Sequence, residues 1–115
     1  METKFYHFRQ NNSGGSFRID EEAGIGINVI IEGTSPSHAN FRAEEIGLYF
    51  NGCDDGTDCP CCGDRWYNTS ASDGEDVPTM YGDAVGDVEK DMFCTDCYVH
   101  YIDGTIKHHI FKEKA

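Results

Sequence analysis

The sequence predicts a small α+β domain: one helix packed on an antiparallel sheet of hairpins, joined to a zinc-ribbon-like pair of knuckles that together supply four cysteines. Three observations predict it. Ile25, Ile27, Val29 and Ile31 alternate with Gly26, Asn28, Ile30 and Glu32, the period of a half-buried strand. Ser35-Pro36 and Gly47 bracket a stretch with helical spacing. Two Cys-x-x-Cys pairs, Cys59/Cys62 and Cys94/Cys97, carry metal-ligand spacing. At 115 residues the chain falls in the range of a single domain, 1–115.

Along the chain, the aromatic run Lys4–Arg9 is β-prone. The turn-forming Asn11–Gly15 cluster then predicts a hairpin with residues 16–20. The strand from Gly24 follows. Ser35 is the expected N-cap, with Pro36 at the first helical position, where its missing N–H is no loss. Gly47 is the expected C-cap, so the helix ends at Ile46 and Leu48–Phe50 makes a short strand into the metal site. Ala39, Ala43 and Ile46 share the face that packs on the sheet, and Phe50 would join them only in the alternative in which the helix runs through to it. Residues 68–91 form an acidic loop, mobile or anchored by Val77, Met80, Tyr81 and Val85. Asp103-Gly104 predicts a two-residue turn between Tyr98–Ile102 and Thr105–Phe111, with Tyr101 opposite Ile106 and Val99 opposite His108.

Cys59-Pro60-Cys61-Cys62-Gly63 and Cys94-Thr95-Asp96-Cys97 predict one structural Zn²⁺ held by Cys59, Cys62, Cys94 and Cys97. Two intervening residues let a tight turn aim both thiolates at one ion, and a closed tetrahedron of sulfur is the usual structural site. Disulfides, redox chemistry or an iron–sulfur cluster could use the same thiols, and Cys53 or Cys61 could substitute for a ligand. A strand histidine is more often a surface or core residue than a ligand, so His7, His100, His108 and His109 are left out of the set. Four thiolates leave no open coordination position, and no nucleophile–base pair is recognisable. The chain reads as non-enzymatic. Asp54–Asp58 lacks the spacing of a calcium-binding EF-hand.

The net charge of −12 is unevenly spread: residues 52–91 hold eleven acidic against two basic side chains, net −9. Phosphate backbones are bound by basic surfaces, so direct nucleic-acid binding is not expected. No apolar run approaches the ~20 residues of a membrane span, and the start lacks a secretory leader. A cytoplasmic location is expected, where reduced thiols favour metal over disulfide. Aromatics amid charge suit recognition of a protein. The candidate partner surface is therefore Trp66, Tyr67, Asp73, Glu75, Asp76, Tyr81 and Asp83. The competing reading is a zinc-ribbon nucleic-acid-binding or transcription-associated module. It would need a basic face from Arg9, Arg18, Arg42, Lys107, Lys112 and Lys114.

Four stretches carry a resemblance to a known family: Lys4-Phe5-Tyr6-His7-Phe8-Arg9, Ala43-Glu44-Glu45-Ile46-Gly47-Leu48-Tyr49-Phe50, Asp58-Cys59-Pro60-Cys61-Cys62-Gly63-Asp64-Arg65-Trp66-Tyr67, and Tyr98-Val99-His100-Tyr101-Ile102-Asp103-Gly104-Thr105. On these the chain resembles, over most of its length, small accessory proteins of tailed bacteriophages. The resemblance implies a virus-encoded protein acting on a host component in the host cytoplasm. It carries over no functional residue.

Overall fold

A computed structural model describes residues 2–11, 19–50, 65–69, 74–80, 83–85 and 96–111. Its main sheet is mixed rather than a set of antiparallel hairpins. β1 (Lys4–Arg9) runs antiparallel to β2 (Asn28–Gly33), with Tyr6 opposite Ile31 and Phe8 opposite Val29. β2 runs parallel to β5 (Asp96–His100), and β5 antiparallel to β6 (Ile106–Ile110). The order is β1-β2-β5-β6.

Among the described residues the partner of β1 is thus β2. Of the stretch 16–20, positions 16–18 lie outside the described residues, Ile19 is exposed, and Asp20 closes a single bridge with Ile25. The physical reason lies in β2 itself. Val29, Ile30 and Ile31 are all fully buried, so the strand is covered on both faces instead of one. A strand apolar on both sides belongs in the middle of a sheet, where parallel pairing is found. A parallel pair cannot be closed by a tight turn, and the chain between Gly33 and Asp96 makes the crossover.

The crossover begins with α1 (Pro36–Ile46), bounded as its caps predict. Ser35 Oγ accepts from the His38 N–H at 3.1 Å. Gly47, at φ 120°, donates its N–H to the carbonyls of Ala43 and Glu44. With no acid in the first turn and no base in the last, these caps are the helix's main terminal support. Ala39 and Ala43 are fully buried, and their small size brings the helix close to the end of β2. A Cβ built on Gly33 would lie 3.0 Å from the Ala39 nitrogen. Residues 48–50 do not form the expected strand. The Leu48 N–H bonds the Ala43 carbonyl at 3.0 Å, so the chain is still finishing the helix there.

The C-terminal hairpin forms, in a register one residue from the expected one. Val99 lies opposite Lys107, Tyr98 opposite His108, and Cys97 opposite His109. The Tyr101 N–H bonds the Thr105 carbonyl at 2.8 Å, so the loop is Ile102-Asp103-Gly104, with Gly104 at φ 95°. A three-residue loop with glycine in its last position is the next most common hairpin after the two-residue form. Because strand side chains alternate, this slip moves every β6 residue to the other face. Arg42 of the helix holds the hairpin in place, donating to the carbonyls of Glu32 and Tyr101. The Glu32 carboxylate in turn accepts from the Ile102 N–H at 2.9 Å.

Two cores result. On the helix face Tyr6, Phe8, Ile25, Val29, Ile31, Ala39, Ala43, Leu48 and Trp66 pack together. On the opposite face Ile30, Met80, Val85, Cys97, Val99 and Phe111 do so. Met80 and Val85 reach it through the small ribbon of β3 (Thr79–Met80) and β4 (Asp83–Ala84). Glu75 exchanges two backbone hydrogen bonds with Phe5, covering part of the outer edge of β1.

Candidate functional site

Of the four sequence-predicted metal ligands, Cys97 is described; Cys59, Cys62 and Cys94 lie outside the described residues, as do Cys53 and Cys61. Among the described residues no group of three or more His, Cys, Asp or Glu converges as a metal cluster. Cys97 sits in β5, fully buried on the face opposite the helix. Directly across the strand pair is His109, and opposite residues of an antiparallel pair share a face. His109 Nε2 is sealed from solvent and meets no hydrogen-bond partner among the described residues. A buried polar atom in that state costs about 1–3 kcal/mol. Burial also pushes the His109 ring below its ordinary pKa, with Lys107 and His108 acting in the same direction. The sequence sets His109 aside on the general ground that a strand histidine is more often a surface or core residue, and the two-residue turn expected at Asp103-Gly104 would put that side chain on the other face.

The remaining histidines are engaged. His7 Nε2 lies 2.9 Å from Asn28 Oδ1, and His38 Nδ1 accepts from the Thr34 N–H at 3.0 Å. His100 Nε2 lies 2.8 Å from the Gly24 carbonyl oxygen, and burial holds the ring below its ordinary pKa. His108 lies flat on Tyr98, centroids 4.2 Å apart, with Nε2 2.5 Å from Asp96 Oδ2.

The candidate partner surface divides. Trp66 is only 2% exposed and belongs to the helix-face core, so a partner could reach only the part that lines a pocket. Tyr67 projects, 58% exposed, and Glu75, Asp76 and Val77 are also exposed. Asp76 pairs with Lys4 Nζ at 2.5 Å, which lowers the carboxyl pKa and raises that of the amine. Asp73 and Tyr81 lie outside the described residues, and Asp83 is a backbone partner of Met80 in the ribbon.

The chain around Trp66 is anchored by a buried polar network. Arg65 donates from Nη1 to Gln10 Oε1 at 2.9 Å and from Nε to the Tyr49 hydroxyl at 3.0 Å. Gln10 donates onward to the Gly26 carbonyl at 3.1 Å. Farther on, Asn40 of the helix accepts from the Thr69 N–H at 2.8 Å. These contacts set Trp66 into one wall of a half-open cavity of about 260 Å³, lined also by Ile19, Asp20, Ile25, Ile46 and Tyr49. Nothing in the local sequence pattern announces this cavity, whose walls come from separate parts of the chain.

Among the described residues no helix is long and apolar enough to cross a membrane. No curated protein and no solved structure matches the chain. A family model described as a domain of unknown function, DUF7296, matches residues 3–115, and the chain belongs to that family.

Proposed function

We propose that this chain is a non-enzymatic binding protein, stabilised by one structural zinc on Cys59, Cys62, Cys94 and Cys97, that engages a basic protein partner through its acidic middle third. The observation that carries the reading is the concentration of charge, net −9 of −12 between residues 52 and 91. Exposed Tyr67 and Val77 within that stretch supply apolar contact area. In such interfaces rim charges chiefly accelerate encounter, and a few desolvated aromatics supply most of the affinity. The resemblance to bacteriophage accessory proteins makes a host protein the partner to seek, with inhibition or modulation as the outcome. The zinc-ribbon alternative is weakened by Arg42, whose guanidinium is committed to two backbone carbonyls and not to an open basic face.

Zinc content and affinity capture from host lysate test the reading together. The expected result is one zinc per chain and a captured basic protein. Neutralising Asp73, Glu75, Asp76 and Asp83 slows its association and flattens the salt dependence, while Tyr67→Ala speeds its release. A specific submicromolar nucleic-acid complex in a gel-shift titration would instead establish the alternative. Capture unchanged by either set of substitutions would remove the acidic surface from the account.

A further inference from the structure

We propose that the cavity walled by Trp66 receives one arginine side chain of a basic protein partner, with Asp20 holding the guanidinium. The inference rests on the partner reading above and gives that partner a defined anchor point.

Size and lining come first. At about 260 Å³ the cavity falls below the ~300–1,000 Å³ of sites that enclose a drug-sized molecule, and it suits a single side chain. Ile19, Ile25, Ile46, Tyr49 and Trp66 supply apolar and aromatic wall, and Asp20 supplies the carboxylate. Arginine matches both parts. Its methylene stem covers apolar surface, and its planar head stacks on an aromatic ring and binds a carboxylate through two parallel hydrogen bonds. Lysine offers a point charge without that planar fit.

The electrostatics select a cation over an apolar side chain. Asp20 is exposed, and the ion pairs among the described residues are Lys4 with Asp76 and His108 with Asp96, so neither neutralises it. Asp20 Oδ1 accepts from the Ala23 N–H at 3.2 Å, which holds the carboxylate in the turn that Asp20 and Ile25 close. Gly47 brings the C-terminal end of α1 into the cavity wall, where the helix dipole is negative. The last turn there carries Glu44 and Glu45 and no basic residue. Glu21 and Glu22 follow Asp20 directly and are exposed. The lining segments 19–22 and 44–50 therefore hold five acids and no Lys or Arg. Arg65 does not line the cavity: it is buried, with its guanidinium on Gln10 Oε1 and the Tyr49 hydroxyl. That tie fixes the Tyr49 side of the wall before a partner arrives, which lowers the ordering cost of binding.

The test titrates the full chain with blocked glycine tripeptides whose central residue is arginine, lysine or citrulline, the last a neutral match for arginine in shape. Trp66 is the single tryptophan of the chain, so its fluorescence reports on the cavity wall. The expected result is a saturable change with the arginine peptide, accompanied by amide shifts at Asp20, Ile25 and Gly47. Lysine should bind more weakly and citrulline most weakly. Asp20→Asn keeps an acceptor for the Ala23 N–H, and it should weaken the arginine peptide about 2- to 5-fold while leaving the citrulline peptide unchanged. Equal binding of the arginine and citrulline peptides overturns the cation site, and lysine binding as tightly as arginine overturns the choice of side chain. No response at the cavity to any of the three overturns the proposal and leaves the acidic segment as the contact surface. A captured partner that tolerates neutralisation of Asp73, Glu75, Asp76 and Asp83 but is weakened by Asp20→Asn removes that segment and supports the cavity.

Discussion

The two faces of the sheet are closed by different means. The helix face is covered by α1, which follows β2 directly and whose ends are set by Ser35 and Gly47. The opposite face is covered from far along the chain, by Met80, Val85 and Phe111 around Cys97. One cover is specified by neighbours in sequence, the other by contacts that exist only after the chain has folded. The zinc proposed above would act on the second face through Cys97. A small domain whose second core is assembled from scattered residues gains most from a cross-link there.

β2 allows the comparison to be tested within one dipeptide, because Ile31 feeds the helix face and Ile30 the other, both fully buried. In urea denaturation, Ile31→Ala and Ile30→Ala are each expected to cost about 2–5 kcal/mol, the range for truncating a packed isoleucine. A loss below about 1 kcal/mol for Ile30→Ala alone would show that the second face is loosely closed. Removing the helix cap is a smaller perturbation confined to the first face. Ser35→Ala should cost about 1 kcal/mol and leave zinc affinity unchanged. A drop in zinc affinity would show that the faces are coupled through β2.

The smallest effect concerns pH. His100 lies on the helix side of β5, its ring held neutral by burial beside the Gly24 carbonyl. Its folded pKa lies below the ordinary value of 6.5, so the unfolded chain takes up the proton first. The stability that neutral His100 provides is therefore complete above about pH 6.5 and is lost progressively as the pH falls toward the folded value. Thermal unfolding from pH 7.5 to 5.5 should show a falling Tm, with a shallower fall in His100→Gln. Equal slopes in the two proteins would assign the acid sensitivity to other groups.

What could be read in advance follows the same division. Ser35, Pro36 and Gly47 act on backbone groups within four residues of themselves, and the helix ends where they indicate. The Asp103-Gly104 turn is also local, but it fits two loop lengths, and the choice between them depends on how β5 and β6 pack. The parallel pairing of β2 with β5 leaves no local trace, because burial on both faces looks like alternation with one extra isoleucine. Trp66, an aromatic amid charge beside the cysteine knuckle, fits a contact residue and a core residue equally well by sequence. It is drawn into the core by the anchoring of Arg65 to Gln10 and Tyr49. The pairing of Cys97 with His109 depends on that same loop length, so no spacing rule could have shown it.

The central seam also fixes an order of events during synthesis. Ile31 pairs with His100, and positions 31 and 100 are 69 residues apart. At about 5–20 residues per second, a ribosome needs roughly 3 to 14 seconds to make the intervening chain. During that interval β1, β2 and α1 can assemble, while Val29-Ile30-Ile31 presents an open apolar edge to solvent. Unpaired edges of this kind invite pairing with other chains. The acidic residues 52–91 are translated within the same interval, so the nascent chain carries its greatest negative charge while its most adhesive edge is bare. Charge of that size opposes association of neighbouring chains until β5 pairs with β2.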